Sequence, residues 1–197
     1  MKFWFPVIAY FIGAIPTAYV IVKILKGIDI RTVGSGNVGA TNAGRVLGFK
    51  GFLVVFIIDM LKGFIPVYLA KSYFGDSIFL YLVAFAAIIG HIFTVFLNFK
   101  GGKGVATGVG VYIALTPINV FYVFLVFMIT VGLFKMVSLG SIVSVITLTV
   151  LVWINEQSLY LKVFTLALAL FIIIKHRENI KRILNGTEKK IGEKVNL

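Results

Sequence analysis

The residues able to do chemistry in this chain of 197 residues gather in three polar segments, Gly34 to Lys50, Asn98 to Gly104 and His176 to Glu188. The first contains the run Gly34, Ser35, Gly36, Asn37, Val38, Gly39, Ala40, Thr41, Asn42. Gly34, Gly36 and Gly39 stand at G-x-G-x-x-G spacing, but a dinucleotide loop needs a preceding strand and a βαβ unit, and membrane helices flank this run. What survives is local. Glycine tolerates positive φ, so successive backbone N–H groups can face one anion, with Ser35, Asn37, Thr41 and Asn42 adding donors. A flexible turn has the same composition.

The second segment, Lys100, Gly101, Gly102, Lys103, Gly104, runs into Val105, Ala106 and Thr107. It lacks the Walker spacing, yet its glycines admit a ligand close to the backbone and its lysines are point charges for a phosphate. The alternatives are lysines that only anchor a cytoplasmic helix end, and a Gly104–Gly108 small-residue packing face. The third segment, if helical, puts His176 and Asn179 on one face at i, i+3, and such a stretch also reads as an interfacial amphipathic helix. Within the apolar runs, Asp59 and Lys62 can pair at i, i+3, either as a functional intramembrane group or as a self-neutralising structural pair. His91, after Gly90, reads equally as a packed helix residue. With no cysteine and two histidines, thiol chemistry is excluded; no cluster at ligand spacing predicts a metal or cofactor.

The elements that must position these segments are membrane helices. A hydrophobic content of 60% and a mean hydropathy of +1.05 leave too little polar surface for a water-soluble domain. Apolar runs cover Phe3 to Leu25, Phe52 to Ala70, Ile78 to Leu97, Val105 to Leu115, Ile118 to Phe134, Met136 to Trp153 and Leu159 to Ile174. The reading is a single all-α polytopic domain over residues 1–197 with about seven transmembrane helices. The fourth run is short and precedes Thr116 and Pro117, so it is either a half-helix or begins inside the preceding loop. With the N-terminus outside, fifteen Lys and Arg fall on one face: five between Lys23 and Lys50, then Lys100, Lys103 and Lys135, then seven from Lys175 to Lys194. Lys2, Lys71 and Lys162 fall on the other. That asymmetry makes the basic face, the three polar segments and the C-terminus cytoplasmic, so all three segments can serve one site. The outer connections Ser72 to Ser77 and Asn155 to Ser158 read as plain turns.

Together the segments resemble one family, the bacterial PlsY-type membrane enzymes that acylate glycerol 3-phosphate from acyl phosphate. The resemblance rests on S-G-N-V-G-A-T-N at Ser35 to Asn42 with Arg45 following, on G-H-I-F-T-V-F-L-N-F-K-G-G-K-G-V-A-T from Gly90 to Thr107, and on H-R-E-N-I-K-R-I-L-N-G-T-E from His176 to Glu188. It spans the chain, with Ile183 in place of an expected Leu. It implies transfer of a fatty acyl group to the sn-1 hydroxyl of glycerol 3-phosphate, giving lysophosphatidic acid and phosphate, a first step of phospholipid synthesis in the bacterial inner membrane. The H-x-x-x-x-D signature of other glycerolipid acyltransferases is absent: its Asp position falls on Phe96 after His91 and on Lys181 after His176.

A mixed anhydride with a good leaving group needs no covalent intermediate, so positioning and charge stabilisation can suffice. The resemblance assigns the two phosphates to Ser35, Arg45, Lys103, His176 and Asn179. Beside them stand the backbone of Gly36 to Gly39 and Gly101 to Gly104 and the side chains of Asn37, Thr41, Asn42, Lys100 and Thr107. His176 either accepts the hydroxyl proton or donates to a phosphate that accepts it. Glu188 and His91 take structural roles, Glu188 by pairing a lysine or arginine. The implied partners are glycerol 3-phosphate, a fatty acyl phosphate and membrane lipid, with no cofactor and no nucleic acid; oligomeric state is not encoded legibly. The other reading of the same loops is a transporter or exchanger of organic phosphates, which would favour a midplane site and two-fold repeats, neither of which is visible.

Overall fold

A proline sixteen residues into the chain decides how the first span is built. Pro16 has no N–H to donate, so the helix stops: the computed structural model, which describes residues 2–193, has α1 at Trp4–Ala14 and α2 at Thr17–Lys26. The remaining helices are α3 (Ala40–Phe74), α4 (Ile78–Ile92), α5 (Val105–Leu115), α6 (Pro117–Phe134), α7 (Val137–Asn155), α8 (Leu159–Lys175) and α9 (Arg177–Leu184). No strand occurs among the described residues. Lys194, counted among the cytoplasmic charges, lies outside them.

Five stretches are long and apolar enough to cross a bilayer: Trp4–Lys26, Ala40–Phe74, Ile78–Leu97, Pro117–Phe134 and Val137–Asn155. The pair α8 and α9, bent by 59°, makes a sixth if taken as one span. The expected count of about seven is thus five or six by length. The fourth apolar run is the reason: α5 has 11 residues, and at 1.5 Å per residue it reaches roughly half of a ~30 Å hydrocarbon layer. The outer helix faces carry exposed Ile24, Ile129, Leu133 and Ile174, as expected where lipid replaces water as the solvent.

The chain divides into two compact units, one up to Leu115 and one over Thr116–Glu193. In the first, helices approach to backbone contact at glycines. A Cβ on Gly13 would collide with the Ala87 carbonyl and one on Gly90 with the Tyr10 carbonyl, so α1 and α4 are joined by a reciprocal pair. Gly63 against the Thr107 carbonyl and Gly110 against the Met60 carbonyl join α3 and α5 in the same way. The packing face of α5 is therefore Gly110, whereas Gly108 faces open space. α3 also starts earlier than the sequence pattern indicated. It begins at Ala40 and kinks at Gly48 (φ 75°, ψ −172°), so Thr41, Asn42 and Arg45 ride on a helix and not on a loop.

In the second unit, the connection after α7 is not a plain turn. Glu156 accepts from Asn119 Nδ2 (3.0 Å) and from the Thr116 hydroxyl, while Asn155 donates to Asn119 Oδ1 at 2.8 Å. Asn119 and Thr116 are buried, so this network satisfies polar groups at the start of α6 that lipid could not.

The α3–α5 contact gives a test. Gly110→Ala forces a methyl into the Met60 carbonyl and is expected to destabilise the protein by about 1–3 kcal/mol. Gly108→Ala is expected to be neutral or stabilising, since alanine is the better helix former by about 1 kcal/mol. Thermal unfolding of both variants in detergent checks the difference.

Candidate active site

The polar loop before α3 is built around one amide. Asn42, buried in the first turns of α3, donates through Nδ2 to the carbonyls of Ile30 (3.1 Å) and Val33 (3.0 Å) and accepts through Oδ1 from the Ser35 N–H (3.0 Å). It therefore holds the loop that presents Ser35, through both ends of its amide. Ser35 itself is exposed, with Oγ 3.5 Å from the Asn37 N–H. Arg45 lies half-buried one turn beyond Thr41, on the same helix face. Arg31 is engaged elsewhere: its guanidinium binds Asp29 (Nη2 to Oδ2, 2.6 Å) and covers the Tyr19 ring. Hydrogen bonds from Arg31 push the Asp29 carboxyl down to about 2.

The glycine loop before α5 is also held from within. Gly101 N–H donates to the Ile92 carbonyl (3.0 Å) and Gly102 N–H to the His91 carbonyl (3.1 Å). In the first loop, Gly36 N–H bonds Val33 and Gly39 N–H bonds Asn37. These four N–H groups, expected to cradle phosphate, each have a carbonyl partner within the chain. The glycines of the second loop are required instead by close approach. A Cβ on Gly102 would strike His91 Nε2 on one side and stand 2.7 Å from the Val38 carbonyl on the other. Val38 belongs to the first loop, so within this unit the two glycine segments meet at Gly102. Lys103, next along, is half-buried, Lys100 is exposed, and Gly104 turns with φ 83° into α5. Thr107 is fully buried in α5, with no hydrogen-bond partner for its hydroxyl.

In the second unit the bend between α8 and α9 falls on His176, which is 2% exposed. His176 Nδ1 lies 2.8 Å from the Ile172 carbonyl. A carbonyl only accepts, so Nδ1 carries the hydrogen and the neutral ring has its lone pair at Nε2. Asn179, one turn on and buried, donates to Glu188 Oε1 at 2.7 Å; Ser138 of α7 donates to the same oxygen at 2.7 Å, and Arg182 Nε to Oε2 at 2.7 Å. Burial raises the Glu188 carboxyl, but the hydrogen bonds from Ser138, Asn179 and Arg182 with the Arg182 charge outweigh it and leave the group below its ordinary value. Ser138 carried no sequence signal, being one small polar residue at the start of an apolar run. Among the described residues no group of three or more His, Asp and Glu stands close enough to hold a metal.

The family model described as glycerol-3-phosphate acyltransferase matches residues 3–186. A glycerol-3-phosphate acyltransferase of Endomicrobium trichonymphae is 46% identical over 193 residues, covering 97% of this chain and 96% of the relative. One of Thermotoga petrophila is 44% identical over 194 residues, 98% of each chain. The crystal structure of PlsY (YgiH), an integral membrane glycerol 3-phosphate acyltransferase in its glycerol 3-phosphate form, superposes with a TM-score of 0.94 at 41% identity, covering 97% of this chain and 96% of that one. Its lysophosphatidic acid form gives a TM-score of 0.91 at 40% identity, covering 97% and 95%.

Because Glu188 titrates below its ordinary value in the folded protein, its contribution is complete above about 4.5, the unfolded value, and is lost as pH falls through the lower folded value. Glu188→Gln is expected to flatten this acid limb and to cost about 1–3 kcal/mol at pH 7, since hydrogen bonds to a charged group are weakened together. Unfolding temperature measured from pH 7 to pH 3 checks both.

Proposed function

Since the chain belongs to the glycerol-3-phosphate acyltransferase family, we propose that it uses a fatty acyl phosphate as donor and the residues of its three polar segments as the catalytic machinery. It is an acyltransferase that converts glycerol 3-phosphate to lysophosphatidic acid. The observation that carries the reading is the full-length likeness to a relative solved with glycerol 3-phosphate.

In the proposed reaction the sn-1 hydroxyl oxygen attacks the acyl carbonyl carbon. The new ester C–O bond forms as the anhydride C–O bond breaks, the bonding pair leaves with inorganic phosphate, and the hydroxyl proton goes to His176 Nε2. The Ile172 carbonyl supports that role by fixing the tautomer, so the base faces away from the bond that orients it. Arg45 and Lys103 neutralise phosphate charge and Ser35 donates a hydrogen bond. Asn179, held by Glu188, helps to orient substrate. No metal takes part, and the activity survives EDTA.

The whole chain acts as one membrane domain, its N-terminus outside and its catalytic residues facing the cytoplasm of a bacterial inner membrane. The fifteen-to-three charge split supports this orientation. α5 and the loop before it make the seventh crossing together. Cytoplasmic reporters fused after Lys50, Gly104 or Lys135 are expected to be active and those after Gly75 or Gln157 inactive; the reverse pattern would put the site on the wrong side.

Purified protein supplied with acyl phosphate and glycerol 3-phosphate is expected to release phosphate only when both are present, an outcome an exchanger would not give. Ser35→Ala, Arg45→Ala, Lys103→Ala, His176→Ala and Asn179→Ala are each expected to lose roughly two to three orders of magnitude in rate while still inserting. Arg45→Lys should not restore a bidentate phosphate contact. Lys190→Ala should do little, its charge being exposed to solvent. The pH–rate profile decides the base: if His176→Gln keeps the acid limb of wild type, a substrate phosphate oxygen takes the proton instead.

A further inference from the structure

Asp59 and Lys62 have no part in the chemistry above, yet both are buried, at 1% and 5% exposure, in the middle of α3. Lys62 Nζ is 2.6 Å from Asp59 Oδ1 and also donates to the Ile15 carbonyl, freed where Pro16 breaks the first span. Asp59 Oδ1 lies 3.9 Å from His91 Nδ1 at the end of α4. The same end of α4 is tied to the last turn of α1 by the Thr94 hydroxyl on the Ala14 carbonyl and by Tyr10 Oη on the Phe93 carbonyl at 2.8 Å. From His91 the contacts run onward. Its carbonyl takes the Gly102 N–H at 3.1 Å, and its ring packs where a Cβ on Gly102 would have to be. Nothing flexible separates the imidazole from the Gly102 backbone, and the next residue is Lys103.

We propose that Asp59, Lys62 and His91 are positioning residues for the acceptor, fixing the end of α4 against the break in the first span and, through Gly102, the place from which Lys103 meets the phosphate of glycerol 3-phosphate. This rests on the reading of Lys103 as a phosphate ligand. A self-neutralising pair that only joined helices would have no reason to converge on a catalytic loop. Here the ion pair, the broken backbone and the loop are linked by consecutive contacts, the longest of them the 3.9 Å between Asp59 and His91. The consequence is specific: loosening the cluster weakens acceptor binding before it affects the acyl donor or the chemical step.

The test uses the full chain in detergent with glycerol 3-phosphate varied at saturating acyl phosphate. Removing one charge alone would strand the other, so the variant is the double neutral substitution Asp59→Asn with Lys62→Gln, which keeps hydrogen-bonding groups at both positions. The expected result is a KM for glycerol 3-phosphate raised about tenfold, with kcat within about twofold and the donor KM unchanged. Thr94→Val loosens the same helix end without touching a charge and is expected to raise the acceptor KM about threefold, which keeps the test open if the double variant does not accumulate. In a Lys103→Ala background the double substitution should add little, because both changes act through one group. An unchanged acceptor KM, with kcat falling in step with the folded fraction, would overturn the proposal and leave the cluster purely structural. A full additional rise in KM on top of Lys103→Ala would overturn it as well. Lys103→Ala without effect on acceptor KM sinks the phosphate-ligand reading itself, and is told apart from the other outcomes by that single variant.

Discussion

A carbonyl oxygen left without a donor inside a lipid-facing bundle costs several kcal/mol, and this constraint orders the first half of the molecule. Pro16 interrupts the first span and frees the last carbonyls of α1. Ala14 is answered by the Thr94 hydroxyl; Ile15 is answered by Lys62 and by the Thr17 N–H. Lys62 in turn is tolerable there only because Asp59 accompanies it. The polar pair, the break and the end of α4 thus require one another, and the irregular backbone from Thr94 to Lys103 is admissible because its N–H groups return to the carbonyls of Ile92, His91, Thr94 and Leu97.

The glycines of both loops then acquire a different meaning from the one their spacing invites. A run of Gly with Ser and Asn looks like an anion cradle, but Gly36, Gly39, Gly101 and Gly102 direct their N–H groups to carbonyls of the chain. What they supply is proximity. Gly102 fits between His91 and Val38, and Gly101 lies on the end of α4, where any Cβ would meet the His91 carbonyl. The side chains proposed for the phosphate chemistry stand on well-held elements: Ser35 on a loop pinned by Asn42, Arg45 on the first turns of α3, Lys103 at the entry to α5.

Much of this was legible beforehand because hydropathy and charge are local properties. The apolar runs fall on α1 to α8, the Asp59–Lys62 spacing does form an ion pair, and the match to the family to which the chain belongs, over residues 3–186, takes in all but the last two residues of the three polar segments. What stayed hidden was non-local. Nothing near Ser138 announces that Glu188 will meet it, and nothing near Thr94 announces Ala14. The bracing role of Asn42 was hidden for a related reason: an amide among glycines can brace or bind, and the carbonyls of Ile30 and Val33 that it holds are distant in sequence. The early start of α3 escaped because its first turns are polar enough to read as loop until Gly48 is seen to bend a helix and not to end one.

Glu188 has a further consequence, in the order of events during biosynthesis. It is synthesised fifty residues after Ser138, its partner on α7. Chains emerge N-terminal end first, so α7 enters the membrane with that hydroxyl unanswered, and α8 and α9 follow with Asn179 and Arg182 still lacking their common acceptor. A released chain truncated just before Glu188 therefore has every helix of the finished protein, with α9 unlatched from α7.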